Sequence, residues 1–307
     1  MSPLYTVFRP ENMDNSFLEQ FFKSGGWYHY MRLNGDTGAR ADRFAIKDNL
    51  FFEMPIPFPS LPEQTAIGSF FKTLDSRIAS QGKKIEKLNS MKKALLAKMF
   101  PSNNYELGIT NYELNKPQIR FKGFSDAWEE KALGEVGSVA MNRRVFKFQT
   151  TESGDVPFYK IGTFGDEADA YITRELFEQL KASYSYPEIG DILLSASGSI
   201  GRMVEYTGKD EYFQDSNIVW LKHGKEISND YLKCFYSVVK WSGLEGSTIK
   251  RLYNKNILET NINIPTLPEQ EKIGSFFKKL DELIGLSNKE LEQLKNIKSA
   301  LLEKMFV

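Results

Sequence analysis

The sequence has little of what most catalytic or metal-binding sites require. Its 307 residues include one cysteine, Cys234, and two histidines, His29 and His223. A single cysteine excludes an internal disulfide, and three such side chains are too few for the usual four-ligand zinc site. Cys234 lies in an apolar run with helical spacing, which predicts a buried small hydrophobe rather than a nucleophile. We therefore predict no metal site.

Long apolar runs and an excess of one charge are also missing. No stretch is long enough to span a bilayer, and the first residues lack the basic start and apolar run of a signal peptide. These absences predict a cytoplasmic protein. Lys and Arg number 40, as do Asp and Glu. Any nucleic-acid-binding face must therefore come from local clustering of basic residues.

Motifs for catalysis are absent as well. The chain has no Asn/Asp-Pro-Pro-Tyr/Phe loop, which adenine methylation needs, and no glycine-rich cofactor turn after a strand. It has no Gly-x-x-x-x-Gly-Lys-Ser/Thr loop for ATP, and no histidine placed for a serine triad. The Gly/Ser-rich segment 195–201 has the wrong glycine spacing for a phosphate loop and predicts a tight hairpin. We predict no catalytic residue and no cofactor bound to this chain.

The strongest feature that is present is a duplication. Residues 61–100 and 267–306 align without gaps at an offset of 206, and 23 of the 40 positions are identical. Both copies begin with Leu-Pro-Glu-Gln and end with Lys-Met-Phe. Chance does not produce such agreement, so the chain contains an internal repeat.

Each copy predicts one long helix. Ser60 with Glu63, and Thr266 with Glu269, have the capping-box arrangement of a helix start. Apolar residues then recur at alternating spacings of four and three over about five heptads, and a helix of this length measures about 60 Å. Two unrelated helices, each packed on its own domain, would be the alternative. Seams this narrow and this similar favour packing of the two helices on each other.

Polar interruptions of the two seams predict the register. Gln81 and Lys92 break the first seam, and Ser287 and Lys298 break the second at equivalent positions. A parallel pair would place the two lysines in one layer, whereas an antiparallel pair avoids this. If the residue numbers of facing positions add up to about 379, Gln81 faces Lys298 and Lys92 faces Ser287. We predict this antiparallel register.

The rest of the chain divides into a linker and a domain. Residues 101–119 are polar and rich in asparagine, which predicts a linker. Residues 120–266 predict one complete mixed α/β (α+β) domain, with helical periodicity at 229–241. Its strand-like segments, rich in β-branched and aromatic residues between turn signals, are 155–161, 190–194, 201–206 and 217–221.

Residues 1–60 resemble the end of a second such domain. Phe17 and Phe21 fall opposite Tyr231 and Phe235 when the two regions are aligned. The match reaches back only to about residue 215 of the complete domain. We therefore expect residues 1–60 to be the C-terminal fragment of a first domain that is truncated at its N-terminus, followed by helix 61–100, linker, domain and helix 267–307.

Basic residues of the complete domain cluster locally. Such cations can neutralise phosphates, and arginine can also read guanine. The alternative for each of them is an ordinary solvated surface position. The candidate DNA-binding residues are Arg143, Arg144, Lys147, Lys160, Arg202, Lys250, Arg251 and Tyr253.

Three elements of the sequence resemble the specificity subunits of type I restriction–modification enzymes. Residues 117–124 with Trp128 look like the opening of their target-recognition domains. The doubled Leu-Pro-Glu-Gln and Ile-Gly-Ser-Phe-Phe-Lys-x-Leu-Asp segments, and the doubled Ala-Leu-Leu-x-Lys-Met-Phe segment, look like the two ends of their conserved helices. The resemblance implies two recognition domains held apart by an antiparallel coiled coil, each reading one half of a split DNA site.

The resemblance also implies partners. These are double-stranded DNA, two modification subunits that bind S-adenosylmethionine and methylate adenine, and two restriction subunits that use ATP and Mg. A second specificity chain could supply the missing part of the first domain. Two other interpretations stay open. One is a non-reading scaffold or remnant that binds only modification subunits, and the other is a DNA methyltransferase or nuclease with a fused recognition domain.

Overall fold

The computed structural model describes residues 7–37, 44–101, 116–241 and 251–306. The chain forms two compact units. The first contains Met1–Asn89 and Glu282–Val307, and the second contains Ser90–Asp281. We call them the first unit and the second unit and describe each by itself.

The fold mixes helices with sheets, as the sequence predicts, and none of the helices in the described ranges is long and apolar enough to cross a membrane. The helices are α1 (Asn15–Ser24), α2 (Trp27–Asn34), α3 (Asp48–Phe52), α4 (Leu61–Met99), α5 (Leu133–Val136), α6 (Arg174–Ser183), α7 (Asn229–Tyr236), α8 (Asn254–Leu258) and α9 (Leu267–Met305). The strands are β1 (Asp36–Thr37), β2 (Phe44–Ala45), β3 (Glu129–Ala132), β4 (Gly137–Ala140), β5 (Val156–Tyr159), β6 (Tyr171–Ile172), β7 (Ile192–Ser195), β8 (Met203–Glu205), β9 (Tyr212–Phe213), β10 (Ile218–His223) and β11 (Asn261–Ile264).

The first unit is built around α1 and the two long helices. Asp14 begins α1 by accepting a hydrogen bond from the Phe17 backbone amide at 2.9 Å, and Gly25 ends it with φ 78°. The apolar face of α1 is buried against both long helices, since the Phe17 ring lies 5.2 Å from that of Phe306. The core of this unit comprises Phe17, Leu18, Phe21, Met54, Phe71, Leu74, Leu302 and Phe306.

The two long helices of the prediction are confirmed, and within the first unit they run antiparallel. Lys298 Nζ on α9 contacts Asp75 Oδ1 on α4 at 2.5 Å, and Gln81 on α4 donates to Glu290 Oε2 on α9 at 2.8 Å. From the first contact to the second, the residue number rises along α4 and falls along α9, so the helices run in opposite directions. The predicted register is wrong, because Gln81 was expected to face Lys298. Gln81 also donates to the backbone carbonyl of Ser287 at 3.1 Å. The pairing is displaced by about one heptad.

The displacement has a physical reason. A shift of one heptad keeps apolar residues in both seams, so the apolar pattern cannot choose between the two registers. The observed register gives each seam lysine a carboxylate. Lys298 binds Asp75 in the first unit, and Lys92 binds Asp281, also at 2.5 Å, in the second. A charge-assisted bond to a carboxylate stabilises a lysine more than the amide or hydroxyl of the predicted pairing.

Three sheets occur in the described part of the second unit. β4, β10, β7 and β8 form an antiparallel sheet in that order, and β7 and β8 are joined by the predicted hairpin at 195–201. β5 lies between β6 and β9, and β11 pairs with β3. The four strand-like segments of the sequence correspond to β5, β7, β8 and β10. Because residues 129–132 read Glu-Glu-Lys-Ala, without a strand pattern, β3 was not predicted from the sequence.

A buried ion pair fixes the start of α9 in the second unit. Arg120 Nε donates to Glu269 Oε1 at 2.7 Å, and a terminal guanidinium nitrogen donates to Glu269 Oε2 at 2.8 Å. The Glu269 side chain is fully buried. The carboxylate that the sequence assigned to a helix cap thus binds the arginine of the segment 117–124. This bidentate pair connects the opening of the domain to the helix that follows it.

Candidate nucleic-acid interface

The turn 214–217 in the second unit brings together two candidate arginines that are distant in sequence. Arg144 Nε lies 3.6 Å from Asp215 Oδ2, and a terminal guanidinium nitrogen of Arg251 donates to the carbonyl of Ser216 at 3.2 Å. Ser216 has φ 47°, which is uncommon for a residue other than glycine. Arg144 and Arg251 therefore contact neighbouring residues of the same turn.

The Gly/Ser-rich hairpin packs against the same turn. Ser197 Oγ donates to Asn217 Oδ1 at 2.8 Å, and Ser197 forms a bridge with Arg251. The Leu252 amide donates to the carbonyl of Ala196 at 2.8 Å. These bonds fix the segment that carries Arg251 and Tyr253. Tyr253 is 62% exposed, and the Arg251 guanidinium lies 5.8 Å from the centroid of its ring.

The segment 143–148 borders this cluster through Arg144. The Tyr212 hydroxyl donates to the carbonyl of Arg143 at 3.0 Å. Burial raises the pKa of Tyr212 to about 12, so this hydroxyl stays protonated and keeps its donor role. The side chains of Arg143, Arg144 and Lys147 point to solvent, and the Arg143 guanidinium lies 5.1 Å from the centroid of the Tyr184 ring.

Lys160 and Arg202 lie near the same turn but are already engaged. Lys160 Nζ forms an ion pair with Asp169 at 2.8 Å, and the Arg202 guanidinium donates to the carbonyl of Phe164. The neighbouring Ile161 amide donates to Gln214 Oε1 at 2.9 Å, which connects this segment to the turn. A cation with a protein partner must give that partner up to bind a phosphate. Arg144 and Arg251 also have partners, but their contacts are longer, at 3.6 and 3.2 Å, than those of Lys160 and Arg202, at 2.8 and 2.5 Å. Lys160 and Arg202 are therefore the weaker candidates.

The structure thus gathers Arg144, Arg251 and Tyr253 around one turn and places Arg143 and Lys147 beside them. Lys250 lies outside the described residues. Phe146 and Phe148 were not among the residues predicted from the sequence, and both are exposed between the basic residues. The signal was present in the alternation Arg-Val-Phe-Lys-Phe at 144–148, which puts aromatic residues among cations.

The arrangement offers cations and flat apolar rings, and it offers no constellation for catalysis by a metal. In the parts of the chain that the structure describes, no group of three His, Cys, Asp or Glu side chains is placed to hold a metal ion. Exposed guanidinium groups suit phosphate oxygens and guanine edges, and exposed rings suit bases. The cations and rings of this surface therefore suit the binding of a nucleic acid.

Comparisons with known proteins identify the family to which the chain is similar. Residues 125–296 match the family model described as type I restriction modification DNA specificity domain. A Haemophilus influenzae protein named as a type I restriction enzyme specificity subunit is 38% identical over 281 residues, which are 91% of this chain and 68% of that protein. The MjaVIII specificity subunit of Methanocaldococcus jannaschii is 25% identical over 280 residues, 84% of this chain and 62% of that protein.

A solved structure supports the fold. The crystal structure of the type I restriction–modification system S subunit from M. genitalium matches with a TM-score of 0.62 at 19% identity. The match covers 98% of this chain and 75% of that chain. At this identity the likeness concerns the fold alone.

The family match covers more than half of the chain, and the H. influenzae relative extends it over most of the rest. The chain belongs to the family of type I restriction–modification specificity subunits. Its family role is DNA recognition within a restriction–modification system, and subunits of this family are non-catalytic.

Proposed function

We propose that residues 120–266 form a recognition domain that binds duplex DNA through the surface around the turn 214–217 and reads one half of a split site. The observation that carries this proposal is the meeting of Arg144 and Arg251 at Asp215 and Ser216, beside exposed aromatic rings. Phosphate contacts from these arginines would position the domain, and base contacts would select the sequence.

We further propose that the chain works inside a larger complex in the cytoplasm. Modification subunits that bind S-adenosylmethionine, and restriction subunits that use ATP and Mg, would bring the chemistry. The resemblance of the doubled helix segments to the conserved helices of specificity subunits supports docking of these partners on the long helices. A second specificity chain is a further candidate partner, because residues 1–60 match only the last part of a recognition domain.

The test measures the affinity of the full chain for duplex DNA over a range of salt concentrations. Replacing Arg144 and Arg251 together by alanine should lower the affinity and reduce the salt slope by about two units, since each phosphate contact contributes about 0.9. The matched control replaces Arg174 and Lys181, which both pair with Asp210 at 2.5 and 3.6 Å. The control also removes two cations but should leave the slope unchanged.

Unchanged affinity and slope in the Arg144/Arg251 variant would rule out this surface. That result would favour the scaffold that binds modification subunits without reading DNA. Sequence reading itself is tested by methylome sequencing of a host that expresses the chain with a modification subunit. The same double variant should lose or relax methylation of the motif, while the Arg174/Lys181 variant keeps it.

A further inference from the structure

Two phenylalanine rings on the second unit are exposed side by side. Phe146 is 52% exposed and Phe148 is 85% exposed. Their rings are nearly parallel, with an interplanar angle of 8° and centroids 5.7 Å apart. A contiguous apolar surface that faces water often marks a site where a partner binds, so we ask which partner covers this pair of rings.

The segment that carries the rings is held in place. The Phe146 amide donates to Gln149 Oε1 at 2.9 Å, and the Gln149 amide donates back to the carbonyl of Phe146 at 2.9 Å. Val145 packs on the core cluster that includes Phe158. Tyr212 fixes the carbonyl of Arg143, just before the segment. The rings are therefore presented to solvent in a preorganised position, which lowers the entropic cost of binding.

The charges around the rings indicate the kind of occupant. Residues 143–150 contain three cations and no acidic residue. The Arg144 guanidinium lies 6.0 Å from the centroid of the Phe146 ring. Duplex DNA combines a dense line of negative charge with flat apolar surfaces between its base pairs, so it matches cations and rings presented together.

We propose that Phe148, supported by Phe146, inserts between two base pairs of the bound duplex and partly unstacks them. This proposal rests on the proposed function, because it assigns a role to residues within the same DNA-binding surface. Insertion of an apolar wedge unwinds and kinks the helix at that step. Steps that open easily, such as pyrimidine–purine steps, would then be preferred without any hydrogen bond to their bases.

The test uses nicked plasmid DNA that is ligated while the purified full chain is bound, so that any unwinding is preserved as a change in linking number. Wild-type chain should shift the topoisomer distribution in proportion to the amount bound. Phe148→Ala should bind within about tenfold of the wild-type affinity, because the phosphate contacts remain and the cost of unstacking is avoided. At equal occupancy it should lose most of the topoisomer shift.

Phe58→Ala is the matched control. Phe58 is a phenylalanine that is 62% exposed and belongs to the first unit, whereas Phe146 and Phe148 belong to the second. This variant should keep both the affinity and the shift. Because Phe148 is so exposed, its replacement should leave the circular dichroism spectrum and the thermal unfolding midpoint unchanged, and both are measured to confirm this.

The outcomes separate the two proposals. If wild-type chain does not bind the plasmid, both proposals are overturned. If it binds without changing the linking number, or if Phe148→Ala gives the wild-type shift, only the wedge is overturned. If Phe148→Ala instead abolishes self-association in sedimentation and leaves the topoisomers unchanged, the rings are an interface between two copies of this chain.

Discussion

The two units use the same contacts to attach a short helix to a long one. In the first unit the Asp14 amide donates to Gln64 Oε1 at 2.9 Å, and Gln64 Nε2 donates to the carbonyl of Pro59. In the second unit the Ser228 amide donates to Gln270 Oε1 at 2.9 Å, and Gln270 Nε2 donates to the carbonyl of Pro265. The two glutamines belong to the duplicated Leu-Pro-Glu-Gln segments, so the repeat forms the same contact between a short and a long helix in both units.

The same equivalence extends to the aromatic contacts. The ring of Phe306 lies 5.2 Å from that of Phe17 in the first unit, and the ring of Phe100 lies 5.3 Å from that of Tyr231 in the second. Phe100 and Phe306 close the two copies of the repeat. Phe17 and Tyr231 are the residues that the sequence alignment placed opposite each other.

The two units differ outside the long helices and the shared contacts, which we call the helical frame. Among the residues that the structure describes, the first unit has only the short pair of strands β1 and β2, whereas the second has three sheets and the basic, aromatic surface. The helical frame is therefore encoded twice by the repeat, whereas the candidate reading surface of the described residues lies in the chain between the two copies. Mutations can therefore test the helical frame and the candidate reading surface separately.

The largest difference should come from the two equivalent glutamates of the repeat. Glu269 is fully buried against Arg120, whereas its counterpart Glu63 is exposed. Glu269→Gln should lower the free energy of unfolding by about 3 kcal/mol, because it leaves a mostly buried guanidinium without its counter-charge. Glu63→Gln should change it by about 0.5 kcal/mol or less, as is usual at exposed positions. Urea denaturation of both variants measures the contrast, and equal losses would show that the ion pair does not distinguish the units.

The next largest effect concerns glycines where a short helix approaches a long one. A Cβ on Gly274 would lie 2.5 Å from the Asp230 Cβ, and a Cβ on Gly68 would lie 2.8 Å from the Phe17 amide nitrogen. Alanine at either position should cost about 1–3 kcal/mol, since the helices must move apart. Thermal unfolding should show a lower midpoint for both variants.

Two glycines of the same long helices serve as controls. A Cβ on Gly82 or Gly285 would meet nothing within 4 Å. Alanine there should stabilise the chain by up to about 1 kcal/mol, because alanine is the better helix former. If Gly68→Ala and Gly274→Ala behaved like these controls, the close approach of the short helices would be ruled out.

The smallest expected effect is the pH dependence of the Asp75–Lys298 pair. Burial raises the pKa of Asp75, but hydrogen bonding and attraction from Lys298, and then from Lys23, outweigh this and leave the pKa below its ordinary value. The stabilisation is thus fully present above about pH 4, where Asp75 would ionise in the unfolded chain, and is lost as pH falls through the lowered pKa. Asp75→Asn should cost about 0.5–1 kcal/mol at pH 7.

The wild-type advantage over Asp75→Asn should shrink as the pH is lowered below about 4, and urea denaturation at several pH values checks this. Asp281→Asn breaks the equivalent bond to Lys92 in the second unit, and it should cost a similar amount at pH 7. A wild-type advantage over Asp75→Asn that stays constant as the pH falls would contradict the role given to the Asp75 carboxylate. A much larger loss at pH 7 for one of the two variants would break the equivalence of the two pairs.

Much of the architecture follows from local pattern. The heptad spacing predicted both long helices to within two residues at each end, and β-branched runs between turn residues predicted β5, β7, β8 and β10. Periodicity suffices in these elements because each buries one face or both. β3 carries no such pattern, and it is a strand because β11 pairs with it.

The candidate site was predictable in residue type but not in arrangement. Local charge pointed to Arg143, Arg144 and Arg251 individually. It could not show that Arg144 and Arg251 meet at one turn, or that Lys160 and Arg202 are held by Asp169 and the Phe164 carbonyl. Whether a cation is free for a ligand depends on neighbours that are distant in sequence, which only the folded chain provides.

By itself the sequence determined the repeat, the two long helices and their antiparallel direction, because the spacing of apolar residues and the repulsion between two seam lysines are local properties. The tertiary structure decided the register. Two registers one heptad apart bury the same kinds of apolar residue, so the choice falls to the few charged groups that meet across the seam. Asp75 and Asp281 stand at equivalent places in both copies, and only the folded chain shows that they are the carboxylates that bind Lys298 and Lys92.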